Sequence, residues 1–178
     1  ICEGEVQQHQ DRYDYSISYK DYFKRIKYKT AILFEGSCLL GAGLASAGKS
    51  TIQSLRHYGR YLGMAFQLTD DVLDFSQQTD ILGKPDTNDF TQGIYTLPLL
   101  YVIQESSSAE EIKELLEEPI KNSRRIKSIV REARGLEYTL NLAENYIIKA
   151  KKKVNSLPAN QYQDLLWELA DKVLERNF

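Results

Sequence analysis

Proline is scarce: the 178 residues hold four, Pro85, Pro98, Pro119 and Pro158, so long stretches run without a helix breaker. Cysteine is nearly absent. Cys2 and Cys38 form no C-x-x-C and no ligand cluster, which excludes a disulfide framework and fits free thiols in a reducing, cytoplasmic setting. The two histidines, His9 and His57, stand apart, and neither reads as a metal ligand. No apolar run approaches a membrane span, and no signal peptide is visible. An excess of either charge is missing too. With 23 basic and 25 acidic residues the formal net charge is −2, and nothing suggests a nucleic-acid binder. The run "KAKKK" at 149–153 reads as a solvated helix face. The opening "ICEGEVQQHQ" lacks both a Met and a helix cap. The expectation is that it enters in mid-helix and that residues before Ile1 belong to the protein.

Apolar residues are plentiful, at 42% of the chain, and the length suits a single domain. They recur at three- and four-residue steps rather than alternating. Ile26, Ala31, Leu33, Phe34 and Cys38 predict one helix, continuing through Leu39 and Leu40. Ile52 through Leu73 predict a second of about 25 residues. Ile126, Ile129 and Val130 begin another, Leu136 to Ala150 carry one on after Gly135, and a last runs from about Asn160 to Arg176 behind Pro158. In "SSSAEE" at 106–111, Ser108 and Glu111 have capping-box spacing. Residues 79–93, "TDILGKPDTNDFTQG", make a polar loop too long for a simple connector. No strand run and no internal repeat is seen. The predicted class is all-α, a compact helical bundle.

"GLASAGKS" at 43–50 fits the phosphate-loop pattern G-x-x-x-x-G-K-[ST]. That loop works when a buried strand delivers a glycine-rich turn to a helix N-terminus. Here the segment before it, "TAILFEGSCLLGAGLA", is rich in Ala, Leu and Gly and reads as a helix packed closely on a neighbour. No βαβ alternation follows, and no apolar strand ends in an Asp for magnesium. The P-loop nucleotide hydrolase is therefore the remote alternative. Gly48 is expected to end one helix in the left-handed conformation, and Ser50 or Thr51 to cap the next.

The stronger signal is "FQLTDDVLDF" at 66–75. On a helix, Gln67, Asp70, Asp71 and Asp74 share one face, with neighbours roughly 5–6 Å apart at Cβ. Apart from Thr69, the other positions from Met64 to Phe75 are apolar. An ordinary surface helix has the reverse pattern, a broad polar face and an apolar stripe. A helix like this one is expected to be buried on most sides, with its acidic stripe toward a cavity. Three carboxylates there repel one another unless cations sit among them, and Mg²⁺ bridging carboxylates to substrate phosphates resolves the repulsion. The alternative is an acidic patch facing water, against which the apolar surroundings argue. In the loop that follows, Lys84 can supply a cation for a phosphate. Asp80, Asp86 and Asp89 flank it, and Gly83 and Gly93 permit tight turns. Lys29, leading directly into the apolar run beside Thr30, is the lysine best placed to point inward. Acidic residues, metal and lysines around one cavity suit a diphosphate.

These motifs are recognisable together. "FQLTDDVLDF" followed by "LGKPDTNDFTQGIYTLPLL" resembles the second aspartate-rich motif and loop of the trans-isoprenyl (polyprenyl) diphosphate synthases. "GEVQQ" at 4–8, "KTAILF" at 29–34, "GAGLASAG" at 41–48 and the ending "LPANQYQDLLWELADKVLERNF" are similar to the same family in the same order. "ICEGEVQQ" and "YFKRIKYKTA" look most like the catalytic component of the bacterial heptaprenyl enzymes. The resemblance implies an isoprenoid-synthase helical bundle, of which residues 1–178 form the C-terminal part as one all-α domain, the N-terminal half with the first aspartate-rich motif being absent.

The resemblance also implies a reaction. Isopentenyl diphosphate condenses with an allylic diphosphate, Mg²⁺ drawing off the charge of the leaving diphosphate, to give a long-chain all-trans polyprenyl diphosphate, a quinone (menaquinone) side-chain precursor. Carried over by position, Asp70 is a direct metal ligand, and Asp71 and Asp74 bind metal directly or through water. Lys29, Thr30, Gln67 and Lys84 hold the allylic diphosphate. A homodimer, or a heteromer with a small regulatory subunit, is the implied assembly. This chain departs from some relatives at Ile94, where they carry a lysine one position after the glycine of G-x-x-TLP. The 178 residues alone are expected to be inactive. A non-catalytic helical subunit of a heteromeric synthase is the alternative, and the intact DDVLD argues against it.

Overall fold

The computed structural model describes residues 1–76 and 88–175, and these consist of helices and connecting turns. The helices are α1 (Cys2–Gln10), α2 (Tyr19–Ile26), α3 (Ile32–Leu44), α4 (Lys49–Ser76), α5 (Leu97–Glu105), α6 (Ala109–Leu115), α7 (Ser123–Glu132), α8 (Gly135–Val154) and α9 (Gln161–Leu174). A π-turn, Lys27–Ala31, joins α2 to α3, and a short 3₁₀ turn, Asp89–Gln92, precedes α5. The all-α expectation therefore holds across the described residues. No described helix is long and apolar enough to cross a membrane.

The ends of the helices follow local chemistry, with some departures from the sequence reading. Ser18 caps α2 by accepting from the Asp21 amide at 3.2 Å, and Asn160 caps α9 by accepting from the amides of Tyr162 and Gln163. Ser108 stands at the N-cap of α6 but makes no side-chain cap bond. Instead the Ser106 hydroxyl accepts from the Ser108 amide at 3.1 Å, so the expected capping box does not form. At "GLASAGKS" the left-handed residue is Ser46, with φ 52°, rather than Gly48. Helix α4 already begins at Lys49, which places Ser50 and Thr51 inside it instead of at its cap.

Helix α4 runs through the centre, packed chiefly by α3 on one side and α8 on the other. Its second half is buried nearly all round, through Leu62, Met64, Ala65, Leu68, Val72 and Phe75. The close approach of α3 and α4 is made by glycines on α4. A Cβ on Gly59 would lie 2.4 Å from the Phe34 carbonyl oxygen, and one on Gly63 would lie 2.6 Å from the Ala31 Cα. The sequence reading gives this packing to the small residues at 41, 42, 43, 45 and 47. Ala42 is buried, but added Cβ atoms on Gly41 and Gly43 would meet nothing within 4 Å.

Buried charge ties the same pair of helices together. Glu35 of α3, 7% exposed, accepts from Arg56 Nε at 2.6 Å and from Arg60 Nε and a terminal nitrogen of Arg60, each at 2.7 Å. The "KAKKK" run is not uniformly solvated. Lys149 and Lys152 are exposed, but the Lys151 ammonium pairs with Asp171 and lies 4.3 Å from the Trp167 ring centroid, joining α8 to α9.

Candidate active site

The second half of α4 carries the predicted polar stripe, and the π-turn of the preceding helix pair faces it. π-turns widen a helix locally and recur at functional sites. This one lets two consecutive residues reach different neighbours. Lys29 Nζ donates to Gln8 Oε1 of α1 at 2.9 Å and lies 3.6 Å from Glu5 Oε1. Thr30 Oγ1 donates to Gln67 Oε1 of α4 at 2.5 Å. Gly4 permits the first of these meetings, since a Cβ there would lie 2.3 Å from the Lys29 backbone nitrogen. The structure thus joins Thr30 to Gln67, while Lys29 turns to Gln8 and Glu5 of α1.

The three aspartates of the stripe are not equivalent. Asp70 is exposed and Asp74 half-buried, whereas Asp71 is buried at 2% exposure. Both Asp71 oxygens are engaged: Tyr22 of α2 donates its phenol proton to Oδ2 at 2.5 Å, and Gln67 Nε2 donates to Oδ1 at 2.9 Å. Asp74 faces the turn before α5. The Asp89 amide donates to Asp74 Oδ2 at 3.1 Å, and Asn88 Nδ2 donates to the Asp74 carbonyl. That turn is fastened from the other side by Arg12, which donates to the Gln92 carbonyl at 2.6 Å, and by the Tyr13 amide, which donates to the Gly93 carbonyl at 2.8 Å. Gly93 sits at φ +79°, the left-handed conformation its position requires. Lys84, with Asp80, Asp86 and Gly83, lies outside the described residues.

The electrostatics favour an added cation. Burial pushes the Asp71 carboxyl up to about 7. Burial, and then the Asp89 carboxylate, push Asp74 up to about 6. Asp89 is raised as well, by burial first and by Asp70 among its neighbours. The positive charges offsetting this include Arg25, 2% exposed, whose guanidinium pairs with Asp11 at 3.2 Å and donates to the Tyr95 carbonyl at 2.7 Å. Lys127 of α7, 9% exposed, acts favourably on Asp74.

Among the described residues, no group of three or more His, Cys, Asp or Glu side chains is gathered closely enough to hold a metal by itself. The turning of Asp71 toward Tyr22 accounts for its share of that. Mg²⁺ usually takes one or two carboxylates and completes its shell with water and substrate oxygens. The donor set of Asp70 and Asp74 fits such an ion, and a cation beside them relieves the upward shift of Asp74.

Sequence reasoning did not find Tyr22, Arg25 or Lys127. Each lies on a different helix from the motif, with no local pattern to mark it. Asp89 was seen only as a flanking acid, yet its amide and its charge both act on Asp74.

The family model described as polyprenyl synthetase matches residues 1–133, three quarters of the chain and all the site residues above. The chain belongs to the polyprenyl synthetase family. Within that family it is 34% identical to heptaprenyl diphosphate synthase component 2 of Geobacillus stearothermophilus, over 100% of this chain and 56% of that protein. A polyprenyl synthase from Caulobacter crescentus, in complex with calcium and isoprenyl diphosphate, superposes with a TM-score of 0.86. It is 38% identical, over 98% of this chain and 55% of that one. The heptaprenyl diphosphate synthase of Staphylococcus aureus superposes at 0.88, with 31% identity over 99% and 56%. The chain thus spans about half the length of these polyprenyl synthases, and its all-α bundle is theirs.

Proposed function

We propose that this chain is the second-aspartate-motif half of a Mg²⁺-dependent prenyltransferase that condenses isopentenyl diphosphate with an allylic diphosphate. The product is a long-chain all-trans polyprenyl diphosphate, of heptaprenyl length by similarity to the component 2 relative, and a menaquinone side-chain precursor. The observation that carries the reading is the bond from Thr30 of the π-turn to Gln67, on the same face of α4 as Asp70 and Asp74, with Asp89 under the charge of both Lys29 and Asp70. The Caulobacter relative, solved with a divalent cation and an isoprenyl diphosphate, supports the ligand class.

Asp70 and Asp74 would hold Mg²⁺, which when bound would supply positive charge to offset that of a leaving diphosphate. Lys29 turns its ammonium from Gln8 to the allylic diphosphate, and Lys84 brings a second cation from the loop. Gln67 keeps one amide proton for a phosphate oxygen after its bond to Asp71. The remaining half of the site, with the first aspartate-rich motif, belongs to a preceding N-terminal part of the same cytoplasmic protein. The assembly is a homodimer, or a heteromer with a small regulatory subunit, as the component 2 naming of the Geobacillus protein suggests.

Replacing Asp70 by Ala in the full-length enzyme should lower turnover at least 100-fold, and near-normal activity would remove Asp70 from the site. The 178 residues alone should show no turnover, because half of the charge-stabilising groups are elsewhere. Condensation by the purified fragment would refute that division.

A further inference from the structure

We propose that Tyr22 is a positioning residue of this site, and that Asp71 serves as the anchor through which it acts rather than as a metal ligand. The inference rests on the prenyltransferase reading above. It starts from a continuous chain of hydrogen bonds whose direction is fixed at one end. Tyr22 is fully buried and can give its phenol proton to one acceptor, Asp71 Oδ2 at 2.5 Å. The ring cannot swing away: it meets Phe23 edge to face at 5.3 Å, and the Arg25 guanidinium lies 5.6 Å from its centroid. Arg25 is in turn tied to Asp11 and to the Tyr95 carbonyl.

The second Asp71 oxygen accepts from Gln67 Nε2 at 2.9 Å. A carboxylate only accepts, so the Gln67 amide must present nitrogen to Asp71 and oxygen to the other side. That oxygen accepts from Thr30 at 2.5 Å, which uses the only hydroxyl proton of Thr30 and leaves its lone pairs facing outward. Asp71, seated by one buried phenol, therefore orients Gln67 and Thr30 across three helical elements. Asp70, the sequence neighbour of Asp71, is exposed. The DD pair divides its labour: the first aspartate faces the ion and the second holds the wall.

Asp71→Asn tests this division without changing shape. The introduced amide can still accept from Tyr22 through its carbonyl oxygen, but it then presents its NH₂ to Gln67. The Gln67 amide must flip, and the polarity of the chain reverses. Tyr22→Phe removes the hydrogen bond that seats the Asp71 carboxylate and keeps the ring. In the full-length enzyme, Mg²⁺ binding is measured by calorimetry with an unreactive thiolo-diphosphate analogue of the allylic substrate, beside kcat and KM. Asp70→Asn is the reference for loss of a true ligand. Both Asp71→Asn and Tyr22→Phe should keep Mg²⁺ affinity within about threefold and lose kcat by about 10–100-fold, the usual effect of removing an orienting partner.

If Asp71→Asn loses Mg²⁺ as completely as Asp70→Asn, Asp71 is a ligand and the proposal falls. If Tyr22→Phe folds and leaves kcat unchanged, Tyr22 positions nothing and the proposal falls as well. Should Tyr22→Phe not fold, Asp71→Asn alone decides through the same two readings. Absence of any Mg²⁺-dependent analogue binding by the wild type would overturn the prenyltransferase reading itself, and this inference with it.

Discussion

Glu35→Gln should cost the fold about 2 kcal/mol at neutral pH, and the cost should shrink on acidification. The Arg60 hydrogen bonds, followed by those of Arg56, hold the Glu35 carboxyl down, from an ordinary 4.5 to about 2. At about 1.4 kcal/mol per unit, that difference is worth about 3 kcal/mol. Arg56 is 40% exposed and Arg60 29%, so solvent screens part of it, and about 2 kcal/mol remains. The direction follows from linkage. A carboxyl with a depressed folded pKa stabilises fully above its unfolded value near 4.5, and its contribution is lost as pH falls from there toward 2. Urea unfolding of the wild type and Glu35→Gln at pH 7 and again near pH 3, followed by far-UV circular dichroism, measures the gap at both ends. A gap below about 0.5 kcal/mol at pH 7, or one that does not shrink with acid, would show that the clamp between α3 and α4 is not electrostatic.

Four other outcomes follow from the same structure. The metal-free protein should become more stable between pH 8 and pH 5, because Asp71 and Asp74 have folded pKa values raised to about 7 and 6. The contribution is fully present below the ordinary 3.8 and is lost as pH rises through 6–7. Mg²⁺ with a diphosphate should narrow the gap at pH 8, and a flat melting profile across this window would contradict the shifts. Gly59→Ala should destabilise by about 1–3 kcal/mol through its clash with the Phe34 carbonyl. Gly41→Ala, in open space on α3, should instead stabilise by up to about 1 kcal/mol in a thermal melt. Lys49→Ala should change stability by less than about 0.5 kcal/mol. Mg-ATP binding that disappears in this variant would revive the phosphate-loop reading of "GLASAGKS".

Several features were legible from single stretches of sequence. The 3.6-residue spacing of apolar positions gives the helices because burial on one side of a helix leaves that period in the chain. An acidic stripe on an otherwise apolar helix marks Gln67, Asp70, Asp71 and Asp74 as a candidate site, since apolar neighbours argue against a solvated patch. The same logic dismissed "GLASAGKS", where a pattern match lacked the strand that gives it meaning. What local pattern supplied poorly was the packing partner. The run of small residues on α3 looked built for close contact, yet Gly59 and Gly63 of α4 take that role. Which of two facing helices yields space is a property of the pair, and neither sequence states it alone.

The division among the aspartates was beyond sequence for the same reason. Asp70 and Asp71 are adjacent and chemically identical, so only their surroundings can separate them. Tyr22, 49 positions upstream of Asp71, comes to lie beneath it because α2, the π-turn and α3 lay the chain back across α4. Arg25, Asp89 and Lys127 likewise arrive from other helices and turns. The sequence by itself determined that the chain folds as helices and that one of them carries three carboxylates within two turns of an otherwise apolar stretch, because spacing along a helix is local. Only the tertiary structure decided which carboxylate is exposed, which is buried, and by what it is held, because burial and hydrogen bonding belong to elements brought together by packing.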